Sequence, residues 1–242
     1  MEITPGIRRI GSGIVNVYLI EEAGEVTIVD AGAPSYWRDL PTELAAMGRS
    51  LADVRAVVLT HAHPDHIGFA ERIRRERGVP IRVHELDAML ARGKARAGGG
   101  LGGSSLGPLL AFAVWALRHG MARIPPIVEV GTFADGTTLD VPGAPRVIHV
   151  PGHTPGSAAL HVASRDAIFI GDALVTLNVT TGATGPRISP FGADDRRALE
   201  SLDRLAGLEA RYVLPGHGVP WTAGLAEAVR EVRRSSATST RH

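Results

Sequence analysis

The chain has 242 residues, 44% of them hydrophobic, which is enough for one large or two small domains around a substantial core. Its 26 Lys and Arg nearly balance its 25 Asp and Glu, so no general attraction to nucleic acid is expected. The sequence contains no cysteine, which excludes disulfides, thiolate metal sites and a cysteine nucleophile, so any metal must be held by Asp, Glu or some of the 10 His.

Strand-like and helix-like segments alternate through the first part of the chain. Runs of β-branched residues predict strands, and amphipathic runs that end at glycine predict helices. The predicted strands are Ile14–Ile20, Val26–Asp30, Val54–Thr60 and Ile81–His84, and the predicted helices are Leu40–Met47 and Phe69–Arg77.

Residues 85–127 are predicted to form a helical, cap-like insertion. Helices are expected over Leu86–Ala97 and Pro108–His119, with a flexible glycine-rich segment between them, Gly98–Gly107, that would allow a lid to move. Apolar residues on the second helix suggest a wall over a substrate site; the alternative is a helix that packs on the core or on a partner subunit. The residues of this wall are Leu109, Leu110, Phe112, Ala113 and Trp115.

Strand patterns return after the insertion, and Asp194 is a plausible N-cap for one amphipathic helix. We interpret residues 1–232 as a single domain and residues 233–242 as a flexible polar tail. Since the N-terminal residues lack the apolar core of a signal peptide and no apolar run approaches the ~20 residues that cross a bilayer, we expect a cytoplasmic protein without a membrane partner. The predicted strands are Ile127–Val130, Val147–Val150, Ala158–Val162, Ala167–Ile170 and Arg211–Leu214, and the predicted helices are Asp194–Leu208 and Ala223–Arg233.

The most informative segment is Thr60–Gly68, with the sequence THAHPDHIG. A chance H-x-H-x-D-H is expected roughly once in a thousand chains of this composition. Imidazole nitrogens and carboxylate oxygens suit Zn²⁺, Fe or Mn²⁺. Further His and Asp residues follow strand-like runs later in the chain, where loops are held at their base and let side chains converge. The candidate metal ligands are His61, His63, Asp65, His66, His153, Asp172 and His217.

The chain from Asn16 to Gly218, which carries the HxHxDH…H…D…H pattern, resembles the metallo-β-lactamase-fold hydrolase superfamily. The resemblance is in particular to its glyoxalase II-like and small hydrolase members. The resemblance implies an α/β fold: a four-layer αβ/βα sandwich of two mixed β-sheets with helices outside. The alternation of strands and helices in two similar halves agrees with that fold.

The resemblance also implies a binuclear site with two Zn²⁺, or with Fe or Mn in their place. Carried over to this sequence, Asp172 would bridge the two metals, and a hydroxide between them would be the nucleophile. Asp65 would be both a ligand and a catalytic proton carrier. The first metal would be held by His61, His63 and His153, and the second by Asp65, His66 and His217.

Asp30 matches an early aspartate of the family, for which the resemblance implies that it orients a ligand histidine. The alternative is an ordinary aspartate in a turn at a strand end. Arg187, in the loop after Asp172, is a candidate contact for an anionic group of the substrate. The cluster Arg72–Arg77 is interpreted as a solvated helix face rather than a nucleic-acid site.

The sequence departs from several subgroups of the superfamily. The 25 residues after His217 leave no room for the glutathione-binding domain of full glyoxalase II enzymes. Val175 stands where acyl-homoserine lactonases have a tyrosine, and the lack of cysteine and the presence of Asp172 argue against the β-lactamases themselves.

Three functions remain open from the sequence. The first is a binuclear hydrolase that cleaves an ester, thioester or lactone of a small molecule, acting as a monomer or homodimer. The second is a mononuclear iron oxygenase of the persulfide-dioxygenase type, with His61, His153 and Asp172 on the iron. The third is a ligand-binding or regulatory protein that retains metal.

Overall fold

Thirteen strands make up the sheets of the computed structural model, which describes residues 1–96, 98–100 and 103–239. The first seven form one sheet in chain order, and four others form a second sheet in the order β13-β10-β9-β8. The remaining two pair as a hairpin. The strands are β1 (Glu2–Thr4), β2 (Ile7–Ile10), β3 (Val17–Glu22), β4 (Glu25–Val29), β5 (Val54–Val58), β6 (Ile81–His84), β7 (Gly131–Phe133), β8 (Arg146–His149), β9 (Ala158–Val162), β10 (Ala167–Gly171), β11 (Val175–Leu177), β12 (Thr184–Arg187) and β13 (Tyr212–Pro215).

Both large sheets are mixed. In the first sheet, β1 to β4 are antiparallel and β4 to β7 are parallel; in the second, only β10 and β13 run parallel. The turn between β3 and β4 places Ala23 and Gly24 at positive φ, 51° and 89°, as a two-residue hairpin turn requires. The parallel strands need crossover connections, and these connections carry the helices.

Seven α-helices and five short 3₁₀ helices lie in the described part of the chain. Pro64 begins the helix that follows His63, in the N-terminal position that proline favours. Gly78, with a φ of 69°, ends the next helix in a left-handed cap. The α-helices are α1 (Leu40–Ala45), α2 (Pro64–Ile67), α3 (Ala70–Arg77), α4 (Ala88–Ala91), α5 (Leu106–Arg118), α6 (Asp195–Ser201) and α7 (Leu225–Ser239), and the 3₁₀ helices are Pro34–Arg38, Leu51–Asp53, Glu85–Asp87, Ala163–Arg165 and Leu202–Leu205.

The core has three apolar layers, because successive residues of each strand point to opposite faces. Tyr18 and Phe169 meet edge to face at 5.4 Å between the two sheets. Leu19, between inward-facing neighbours, packs under the helices on the outer face of the first sheet. On the outer face of the second sheet, Ile168 packs with residues such as Val232 of α7. The layers are therefore helix, sheet, sheet and helix, which confirms the predicted four-layer sandwich.

The insertion has less helix than expected. The first predicted helix is only a 3₁₀ turn followed by α4, and Gly93, with a φ of 67°, stands just beyond its end. The second is present as α5. Ala97, Leu101 and Gly102, which belong to the predicted helix end and to the glycine-rich segment, lie outside the described residues.

Two other elements differ from their prediction. The strand expected over 127–130 is not formed, because Val128 donates its backbone N–H to Glu71 Oε2 of α3 rather than to a strand, and β7 begins at Gly131. Helix α7 continues through most of the predicted tail. It is supported by ion pairs of Arg230 and Arg234 with Glu227 one or two turns earlier. Residues 240–242 of the tail lie outside the described part.

Among the described residues, no helix is both long enough and apolar enough to cross a membrane.

Candidate metal centre

The seven candidate ligands follow the ends of β5, β8, β10 and β13: five lie in loops, and Asp65 and His66 lie in the short helix α2. The segment after β5 carries four of them within six residues, and it is extended at His63 before Pro64 begins α2. Because these strands end at neighbouring edges of the two facing sheets, loops that are far apart in sequence converge there. Six of the seven residues are buried, and Asp65 is partly exposed.

The side chains form three groups whose ligand atoms all lie within 4.8 Å of one another. Two of them coincide with the trios that the sequence assigned to the first and the second metal. The third joins one histidine of each trio to Asp172. The groups are His61–His63–His153, Asp65–His66–His217 and His61–His66–Asp172.

Asp172 stands between the first two groups. Its Oδ2 lies 3.4 Å from His153 Nε2 of one group and 3.1 Å from His217 Nε2 of the other. Its Oδ1 lies 3.5 Å from His66 Nε2. One carboxylate therefore reaches both groups, as a ligand shared by two metals must.

Whether the cluster suits metal ions can be judged from those of its buried atoms that have no hydrogen-bond partner. In the described chain, the buried Nε2 atoms of His61, His63, His66 and His153 and the buried Oδ1 of Asp172 have no hydrogen-bond partner. Buried polar atoms without a partner are costly and rare. Their convergence on one point is explained by cations that would accept these lone pairs, and the His and Asp donor set suits Zn, Fe or Mn.

Asp30 holds two of these histidines in the required tautomer. His66 Nδ1 donates to Asp30 Oδ2 at 2.9 Å. The hydroxyl of Thr60 donates to the same oxygen at 2.8 Å, so its own oxygen is left to accept from His61 Nδ1 at 3.1 Å. With both Nδ1 atoms protonated, the Nε2 lone pairs of His61 and His66 face the cluster.

The loop that carries His217 is anchored by the first sheet. Asn16 Nδ2 donates to the carbonyls of Pro215 and Gly218 at 2.9 and 2.8 Å, and His217 Nδ1 donates to the carbonyl of Ile14. The close approach also explains Gly216, because a Cβ there would lie 2.1 Å from Asp172 Oδ1. The position before His217 therefore requires glycine.

Burial and neighbouring charges set the protonation of the cluster. Burial lowers the pKa of His153 to about 3 and that of His61 well below its ordinary range, so both are neutral, the form that binds metals. Burial acts in the same direction at His66, but the carboxylates of Asp30 and Asp172 outweigh it and raise its pKa to about 9. The histidines next to Asp172 in turn overcome the effect of burial and hold the pKa of that carboxyl well below its usual range.

Asp87 is a residue of the site that the sequence did not reveal. It is fully buried, and its carboxylate accepts from Ala62 N at 3.0 Å, Thr154 Oγ1 at 2.8 Å and Gly156 N at 2.7 Å. These partners lie in the loops of His61–His66 and of His153. Asp87 therefore ties the two loops of the first group together. In the sequence it looks like an ordinary helix acid, and only its position after β6 indicates a role.

Ser189 is a second such residue. Its hydroxyl donates to Asp172 Oδ2 at 2.8 Å from a buried position after β12. This bond fixes the rotation of the carboxylate that lies between the two groups. A serine in an irregular loop carries no sequence pattern from which this contact could be predicted.

We expect Ser189→Ala to weaken metal binding about 10- to 100-fold, as is typical when a partner of a metal ligand is lost. The affinity would be measured by competition with a chromophoric chelator. Ser201→Ala is the matched control, because Ser201 is also buried but donates within α6 to Ala198 O. Equal affinity in Ser189→Ala and the wild type would show that the bond does not hold Asp172.

The predicted apolar wall reaches the cluster at one residue. The ring of Phe112 meets that of His217 edge-on at 6.5 Å. Trp115 is buried and contacts Tyr36 and His119, whereas Leu110 is 59% exposed. The guanidinium of Arg187 donates to the carbonyls of Thr184 and Gly185 in its own hairpin, and it forms no hydrogen bond or ion pair with any of the seven described candidate ligands.

Comparison with known proteins agrees with this geometry. The sequence profile described as the metallo-beta-lactamase superfamily matches residues 10–217. A protein of Bacillus subtilis (strain 168), named as the probable metallo-hydrolase YflN, is 29% identical, over 91% of this chain and 87% of its own. The acyl-coenzyme A thioesterase MBLAC2 of Bos taurus is 28% identical, over 84% of this chain and 72% of its own.

The same relationship appears among solved structures. TTHA1623, whose crystal structure was solved in a di-iron-bound form, superposes with a TM-score of 0.61 and 26% identity, over 93% of this chain and 97% of the other. The sequence profile covers all seven candidate ligands, from His61 to His217. The chain therefore belongs to the metallo-beta-lactamase superfamily and is a metallohydrolase of that superfamily.

Proposed function

We propose that the protein is a binuclear metal-dependent hydrolase that cleaves an ester, thioester or lactone of a small molecule, with two Zn²⁺ as its metals or Fe or Mn in their place. The observation that carries the proposal is the convergence of two ligand trios on the shared carboxylate of Asp172. Two trios and a shared carboxylate suit two cations rather than one. The relative with a di-iron site supports the number of metals.

The metals would supply a Lewis acid for the attacked carbonyl and would lower the pKa of bound water toward ~7. The first would be held by His61, His63 and His153, and the second by Asp65, His66 and His217, with Asp172 on both. Asp30 keeps the histidine lone pairs directed at the cluster. Phe112 places an apolar ring beside His217.

Asp65 is suited to carry a proton during the reaction. Its side chain is 15% exposed, whereas those of Asp172 and His217 are 3% and 4% exposed, so it is the more open member of the second trio to substrate. Its Oδ2 lies 3.3 Å from His217 Nε2. A carboxylate held in this way can accept a proton from the nucleophile and pass it to the leaving group.

The substrate class rests on two supports. A relative named as an acyl-coenzyme A thioesterase matches most of this chain. The apolar ring of Phe112 beside the cluster suits an uncharged organic group better than a phosphate or sugar. The protein would act on this substrate in the cytoplasm as a monomer or homodimer, without nucleic-acid or membrane partners.

The test combines metal analysis with activity. Protein purified without added metal is expected to contain about two Zn per chain, and the zinc-loaded enzyme is expected to hydrolyse members of a panel of p-nitrophenyl esters, acyl thioesters and lactones. Dialysis against a chelator should abolish turnover, and added Zn²⁺ should restore it.

Other results would favour the alternatives. One Fe per chain together with oxygen consumption on a persulfide would replace the hydrolase by a mononuclear oxygenase. Tight metal binding without turnover of any member of the panel would favour a metal-retaining binding protein. Either result would contradict the proposed function.

A further inference from the structure

An aromatic pair stands at the edge of the metal centre. Phe112 of α5 is partly buried, and its ring lies 6.5 Å from that of His217 and 6.2 Å from that of Phe191. On its other side, Phe112 stacks on Trp115 at 5.9 Å with an interplanar angle of 12°. Because Trp115 is buried in the core, this stacking holds Phe112 in position beside the cluster.

Phe191 is held in place at an energetic cost. It has a φ of 63°, a left-handed conformation that side chains other than glycine rarely adopt and that is typical of functional loops. Its loop is bound to the loop of the first ligand trio, since Ala193 N donates to His153 O at 3.0 Å. The insertion also closes on it, because a Cβ on Gly99 would lie 2.1 Å from Phe191 O.

An apolar track leads away from this pair along α5. Leu109 and Leu106 precede Phe112 by three and six residues, so the three side chains form one oblique ridge on the helix, in which neighbours are about 60° apart around the axis. The track is about 9 Å long at 1.5 Å per residue. Exposure increases along it, from partly buried Phe112 and Leu109 to Leu106 at 82%. No charged residue occurs between positions 106 and 113.

The helix that carries the track is fixed at its start. Ser105 N donates to Thr180 O at 2.9 Å, and Pro108 packs beside Gly182, so the β11–β12 hairpin supports the first turn of α5. The apolar surface is therefore a permanent feature rather than the side of a loose segment. A surface of this kind beside a hydrolytic centre stays in contact with water until an apolar group covers it.

On the basis of the proposed function, we propose that Phe112 and Phe191 determine specificity for the acyl part of the substrate, and that this part is an unbranched alkyl chain that lies along α5 from Phe112 past Leu109 toward Leu106. A linear chain fits because the track is one side chain wide, begins at Phe112 beside His217 and ends at exposed Leu106. The carbonyl of the acyl group would lie at the metals, and the methyl end would lie toward solvent.

The test compares p-nitrophenyl acetate with p-nitrophenyl octanoate on the zinc-loaded enzyme. We expect the wild type to prefer octanoate, and Phe112→Ala to lower the octanoate-to-acetate ratio of kcat/KM about tenfold, chiefly through a higher KM for octanoate. Phe112→Leu should keep part of the preference, and Phe191→Ala should lower it as well. Leu117→Ala is the control. Leu117 is 67% exposed on the same helix, but it follows Phe112 in the chain, whereas the other residues of the track precede Phe112.

A binding measurement separates this inference from the proposed function. Calorimetry with octanoate and acetate anions measures the affinity of the track for an alkyl chain when no reaction takes place. We expect octanoate to bind the wild type at least about tenfold more tightly than Phe112→Ala. Ester hydrolysis without chain-length preference, or with an equal preference in Phe112→Ala, would overturn the inference and leave the proposed function intact. If no ester, thioester or lactone is hydrolysed, the proposed function fails. Octanoate binding that depends on Phe112 would then still support the track, and its absence would overturn it.

Discussion

Replacement of Asp172 by alanine is expected to lower kcat/KM by about 10³-fold, the upper end of the effect of removing one electrostatic contact to a transition state. The reason is that Asp172 reaches both ligand groups, with contacts at 3.4 Å to His153 and 3.1 Å to His217. Its loss removes a ligand from both proposed metals and leaves those histidines without a counter-charge. The metal content per chain should fall together with the activity, as measured by elemental analysis and steady-state kinetics.

Two further variants sharpen this experiment. Asp172→Asn keeps the shape of the side chain but loses its charge, so it should retain more metal than alanine while remaining strongly impaired. Asp140→Ala removes an exposed carboxylate that belongs to none of the three ligand groups and should change neither property. Full metal content and full activity in Asp172→Ala would refute the assignment of the site.

The second large effect is expected at Asp87. Alanine at this position leaves two backbone N–H groups and one hydroxyl buried without their acceptor. Since unmet buried donors cost about 1–3 kcal/mol each, the free energy of unfolding should fall by about 3–5 kcal/mol after partial relaxation. Urea unfolding of the metal-free protein would measure this loss. Zinc affinity should fall too, because the loops of His61 and His153 would no longer be tied together.

Asp53→Ala provides the matched control for Asp87. Asp53 also accepts from a backbone N–H and a hydroxyl, those of Ser50 at 2.8 and 3.0 Å, but it does so in an exposed capping box. Its removal should lower the free energy of unfolding much less than removal of Asp87 and leave zinc affinity unchanged. If Asp87→Ala behaved like Asp53→Ala in both measurements, the role assigned to Asp87 would be wrong.

The architecture could be predicted because most strands and helices show a local pattern of apolar residues in the sequence. A continuous run of apolar residues around Tyr18 and Leu19 indicates a strand with two buried faces, and the structure confirms the resulting sandwich. The short strands β1, at the edge of the sheet, and β2 beside it were missed, since a strand of three or four residues is too brief to show periodicity. The strand expected at 127–130 failed for a tertiary reason, the bond from Val128 to Glu71.

The residues of the candidate site likewise include some that could be predicted from the sequence and some that could not. The four ligands in THAHPDH could be predicted together because they lie next to one another in the chain and on a strand end. Asp87 and Ser189 could not, since what distinguishes them is a partner 25 or 17 residues away rather than a neighbouring motif. The contact of Phe112 with His217 spans an even longer separation, and only the apolar character of its helix was visible in the sequence.

The division of the ligands between two sheets bears on how the protein matures in the cell. Four candidate ligands follow β5 of the first sheet, and three follow strands of the second. A nascent chain that has left the ribosome only as far as the insertion carries His61 to His66 but lacks His153, Asp172 and His217. Because metal binding is coupled to folding, we expect such an intermediate to hold metal weakly, and metal to bind tightly only when both sheets are in place.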